Sequence, residues 1–195
     1  MGTKTATRLL SLAITAGVLA APGFHPDPEP ASLTVVPGIS VVAAQHEHVQ
    51  LVRWAAKRFE TAGLDAPAVE VHFHPDTSNC YGHLGSELAG RVDVCLVLLN
   101  ETMRETLLHE MGHAWIDQNV TESVRERFLE VRQLHAWSEL DVEWDDRGYE
   151  HGAEIIAWGL GNRYLAPTIP DRDPSRLGSA WEVLTGVAAP VPALR

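Results

Sequence analysis

The chain has 195 residues, of which 45% are hydrophobic, and its formal charge is −11 with 15 lysines and arginines. That length suits one domain with a real core and leaves little room for two. So negative a chain offers no basic stripe to follow a phosphate backbone, which excludes nucleic acid from the expected partners, while an acidic surface favours solubility.

Residues 1–20 carry the three parts of an export signal: Lys4 and Arg8, then the apolar run Leu9 to Ala20, then small residues at its end. That run is shorter than the roughly twenty residues a spanning helix needs. A secreted chain with no membrane anchor in its mature form is expected. Val18 and Ala20 place cleavage after Ala20, and Val42-Ala43-Ala44 offers a second site. Residues 21–44, with Pro22, Pro26, Pro28, Pro30 and Pro37, read as a leader or linker, so that the domain proper spans 45–195.

From Gln45 to about Ala62 the apolar positions Val49, Val52, Ala56 and Phe59 recur at helical spacing, with Gly63 beyond as a stop. Val69 to His74 alternates strictly and halts at Pro75, as a half-buried strand does, and puts His72 and His74 on one face as exposed strand histidines. Residues 76–90 are turn-rich and lead into Arg91 to Leu98, a second strand. Cys80 and Cys95, the only cysteines, are expected to form a disulfide in an oxidising compartment, ahead of two buried thiols. Asn100 or Thr102, the latter within Thr102-x-x-Glu105, can cap a helix running to about Asn119. Further helices are predicted over Glu122 to Leu134 and Tyr149 to Leu160, joined by a connection bearing Trp137 and Trp144. The tail holds one apolar cluster, Trp181 to Leu184. Strands together with helices make the fold class α+β.

The helix ending near Asn119 carries His109-Glu110-Met111-Gly112-His113. Residues four apart share a helix face, so both imidazoles can point at one metal ion, and Glu110 can reach a water there without itself being a ligand. Gly112 is a costly helix residue, by about 1 kcal/mol against alanine, which suggests tight packing at that point. A catalytic zinc site has three protein ligands and one open position. Ile116 and Asn119 exclude the metzincin pattern, and Glu154 is the expected third ligand, with Glu150, His151, His135 and Asp117 as rivals.

Leu107 to Trp115, followed by Ala153-Glu154-Ile155-Ile156-Ala157-Trp158, resembles the gluzincin metallopeptidases, and their short bacterial members above all. The resemblance implies a small zincin-like fold in which the two helices wall the active site. It makes Val92 to Leu98 the edge strand that receives substrate, and the later glutamate the third zinc ligand. Tyr149 then stands as an oxyanion hydrogen-bond donor, or else as a packing residue at a helix start. Thermolysin-like enzymes carry an aspartate four residues after the ligand glutamate; counted from Glu154 that position is Trp158, leaving Asp117 as a substitute support.

The expected activity is hydrolysis of peptide bonds by one zinc ion per chain held by His109, His113 and Glu154, with Glu110 as general base. Two alternatives remain at this stage: a non-catalytic secreted zinc-binding module of the same fold, and a secreted domain without metal.

Overall fold

The computed structural model describes residues 31–42, 45–95, 100–161 and 168–189. The predicted export signal lies outside the described residues, and so does the end of the strand expected over Arg91 to Leu98. Among the described residues no helix is long and apolar enough to cross a membrane.

The fold is mixed α+β, with a five-stranded sheet and five α-helices among the described residues. Strand β1 (Ser32–Val36) turns through Pro37-Gly38 into β2 (Ile39–Val42), Gly38 taking the positive φ of 82° that the turn needs. Helix α1 (His46–Thr61) crosses to β3 (Val69–Phe73), which lies parallel to β2. A hairpin follows: β4 (Gly85–Leu88) and β5 (Arg91–Val94) pair antiparallel through Ala89 and Gly90, both at positive φ. Sheet order is β1-β2-β3-β5-β4, with β5 parallel to β3.

Two expectations are corrected here. Residues 32–42 are not leader: they form two strands, and Val41 is fully buried against the core, so the folded unit includes this segment. The edge strand next to the motif is β4 and not Val92 to Leu98, because β5 has β3 on one side and β4 on the other. With both backbone edges already paired, β5 has none to offer a substrate.

Helix α2 (Glu101–Asn119) lies over β4 and β5, capped by Asn100, whose Oδ1 accepts from the Met103 amide at 3.0 Å; Thr102 is inside the helix. Helix α3 (Glu122–Arg132) is followed by an irregular connection, then α4 (Gly148–Leu160) and α5 (Pro174–Thr185). Helix α4 packs along α2 as its principal partner. Glycines make that approach possible: a Cβ on Gly112 would meet the Ala153 carbonyl oxygen at 3.2 Å, and one on Gly152 the Ile116 Cδ1 at 2.8 Å. Almost every residue of α4 is buried, so α2 and α4 together form the middle of the molecule, with Leu107, Leu108, Met111, Ile155 and Ile156 fully buried there. Each such side chain contributes about 1.5–3 kcal/mol on leaving water. Cys80 and Cys95 are joined in a disulfide that ties the turn before β4 to the end of β5.

Candidate metal centre

His109 and His113 sit on successive turns of α2, on the face turned toward α4 and a cleft of about 560 Å³. Their Nε2 atoms are 3.1 Å apart. Oε2 of Glu150, from the first turn of α4, completes a triangle at 3.1 Å from His113 Nε2 and 3.4 Å from His109 Nε2. Ligand atoms of a tetrahedral zinc site with bonds of about 2.0–2.1 Å stand about 3.3–3.4 Å from one another. The three edges match that spacing, and two imidazoles with one carboxylate are a donor set that suits a divalent metal. His109, His113 and Glu150 thus form a group that could hold a metal ion.

Glu154, the expected third ligand, is placed elsewhere. Its Oε1 lies 3.4 Å from Nδ1 of His109, at the opposite edge of the ring from the converging Nε2 atoms. Its carboxylate is fixed there by Thr168, which donates its amide to Oε2 at 3.1 Å and its hydroxyl to Oε1 at 2.9 Å. The physical reason is ring geometry: a carboxylate on the Nδ1 side cannot share a centre with the Nε2 atoms, and it orients the imidazole instead. The other rivals are also spoken for or distant. His151 accepts at Nδ1 from Arg132 and donates from Nε2 to the Asp145 carbonyl at 2.7 Å, Asp117 accepts from the Tyr149 hydroxyl at 3.0 Å, and His135 is exposed.

Tyr149 lines the cleft, but its hydroxyl is engaged by Asp117, and its ring lies against His113 with centroids 4.2 Å apart. That is the packing reading of this tyrosine. Asp117 therefore does not support His113, whose Nδ1 is buried with no partner among the described residues. The Trp144 ring faces His109 across 6.2 Å, closing the other side. His72 and His74 stay outside the centre, each paired with a strand carboxylate: Glu70 at 2.7 Å and Asp93 at 2.5 Å.

Electrostatics follow from this crowding. Burial disfavours charge on His109, yet Glu150 and Glu154 at its two edges outweigh burial and raise its pKa to about 10. Burial holds His113 below its ordinary value. Glu150 is buried too, but hydrogen bonds with both imidazoles hold it well below the usual carboxylate range. Burial pushes Glu110 up to about 7, against the pull of His109.

No protein-family model matches the chain, and the searches of curated proteins and of solved structures find nothing similar. The site therefore stands on its own geometry. Sequence reasoning places Glu150 only among the rivals, although the Glu150-x-x-x-Glu154 spacing is visible, and it passes over Gly85, Trp144 and Thr168 as site residues. Gly85 and Thr168 come from distant segments and carry no motif, so nothing short of the fold brings them to the cleft.

Proposed function

We propose that the chain is a secreted, zinc-dependent peptidase of gluzincin type. The observation that carries this reading is the triangle of His109, His113 and Glu150 facing an open cleft, with the Glu110 carboxylate on the same wall. A purely structural zinc site closes its fourth position with a protein ligand, whereas three ligands beside a cleft and a general base leave that position to substrate or water. Taking Glu150 as the ligand also repairs the departure from the family pattern: the residue four positions on is then Glu154, a carboxylate, where thermolysin-like enzymes carry aspartate.

A bound zinc ion would supply Lewis-acid polarisation of the scissile carbonyl and lower the pKa of a water toward about 7. Glu110 takes the proton of the attacking water and passes it to the leaving amine. Glu154 keeps His109 turned with Nε2 inward. Among the described residues β4 presents a free strand edge along the cleft, so an extended peptide can pair with its backbone at Gly85, Ser86 and Glu87. The disulfide is compatible with an extracytoplasmic location.

A mixed peptide library incubated with the zinc-loaded chain tests the proposal. Cleavage by the wild type, loss of it in Glu110→Gln with zinc retained, and loss on chelation are the expected results. Zinc without cleavage by the wild type would favour a binding module and overturn the enzymatic reading.

A further inference from the structure

Gly85 opens β4 beside the metal centre, and its backbone is extended, a conformation any residue adopts. Space, and not backbone freedom, accounts for the glycine. A Cβ at this position would stand 2.5 Å from Oε1 and 2.7 Å from Cγ of Glu110, and 2.7 Å from Cγ2 of Thr106. The volume of a side chain at position 85 is thus already taken by the Glu110 carboxylate. Glu110 is only 7% exposed and has no hydrogen-bond partner among the described residues, so no polar contact there anchors its carboxylate. Steric walls hold it instead: the flat strand at Gly85 on one side and Thr106, one turn earlier on α2, beside it.

We infer that Gly85 is a positioning residue, the absence of its side chain seating the Glu110 carboxylate beside the metal ligands. The inference rests on the proposed peptidase reading for its consequence in catalysis, and on the strand–helix geometry alone for the seat. A methyl group at 85 needs two adjustments on α2, rotation of the Glu110 side chain and a small shift of the Thr106 methyl, and the first of them moves the base. A displacement of about 1 Å is enough to cost on the order of 100-fold in rate.

The test is Gly85→Ala in the full, zinc-loaded chain, with metal content, kcat and KM on a peptide the wild type cleaves, and a crystal structure. The variant is expected to keep its zinc, to lose about 100-fold in kcat with KM changed by only a few fold, and to show the Glu110 carboxylate moved from its seat. Glu110→Asp, whose shorter side chain does not reach the seat, should lose little more when Gly85→Ala is added to it. Thr106→Ser, which deletes only the second contact, should not restore Gly85→Ala. Wild-type kcat in Gly85→Ala, or equal losses from Gly85→Ala in the wild-type and Glu110→Asp backgrounds, would overturn the inference. If Gly85→Ala does not fold, recovery of folding in the double variant with Glu110→Asp supports the clash and continued unfolding overturns it. If the wild type cleaves nothing, the peptidase reading fails by itself; the crystal structure still decides the seat, an unmoved carboxylate counting against it.

Discussion

Glu150 and Glu154 lie one turn apart on α4, and sequence spacing alone gives them the same face. What separates them is the edge of His109 each one meets: Nε2 at 3.4 Å for Glu150 and Nδ1 at 3.4 Å for Glu154. Glu154→Ala is expected to weaken metal affinity by about 10–100-fold without abolishing it, the usual cost of losing a carboxylate behind a ligand histidine. Competition against a chromogenic chelator measures this, and a Glu154→Ala variant with no metal at all would return the ligand role to Glu154. Tyr149→Phe removes the hydrogen bond to Asp117 but leaves the ring on His113. Its kcat should fall less than about tenfold, whereas an oxyanion donor would cost about 100-fold or more. The pairing of His109 with His113 is legible in the sequence because helix periodicity alone puts them on one face. Which of the two glutamates meets Nε2 of His109 and which Nδ1 is not, because that pairing is a tertiary fact.

At the scale of elements, the site is a product of how closely α2 and α4 approach. Gly112→Val would press branched carbons into the Ala153 backbone, 3.2 Å from where its Cβ would sit. Overpacking of this kind costs about 1–3 kcal/mol and would spread the two helices that carry the ligands, so both thermal stability and metal affinity should drop together. Unchanged metal affinity would show that the helix spacing is not set at Gly112. In the sheet, Asp93 on β5 receives Arg91 Nε at 2.8 Å and His74 Nε2 at 2.5 Å. Burial alone would raise its pKa, but these partners outweigh burial and hold it below the ordinary value of 3.8. A depressed carboxylate contributes stability that is complete above its unfolded pKa and is lost as pH falls through the folded one. Melting temperatures between about pH 5 and pH 2 should therefore decline more steeply for the wild type than for Asp93→Asn; parallel curves would contradict this. Helices α1 to α4 are legible from their hydrophobic periodicity, α2 also from its Asn100 cap. The edge strand is not, because a short strand containing Gly85 and Ser86 carries no hydrophobic alternation to read.

At the scale of the whole molecule, the α+β class follows from the sequence, while the place where the folded part begins does not. Proline-rich composition around residues 21–44 masks the Val36-Pro37-Gly38-Ile39 turn that makes β1 and β2 a hairpin. The signals for helix α5 are equally available, with Asp173 accepting from two amides, Pro174 at its first position and Gly186 beyond its end, yet the hydrophobic pattern alone picks out only the apolar cluster Trp181 to Leu184. The disulfide spans 15 residues and brackets β4. Replacing both cysteines by alanine should cost about 3 kcal/mol in denaturant unfolding, with metal binding unchanged because His109, His113 and Glu150 all lie on α2 or α4. On the proposed reading this fold closes around one metal ion through Glu150. Elemental mass spectrometry of the purified wild type beside Glu150→Ala tests it most directly. One zinc per wild-type chain and a substoichiometric trace in Glu150→Ala are expected. Equal zinc in both proteins, or none in the wild type, would contradict it.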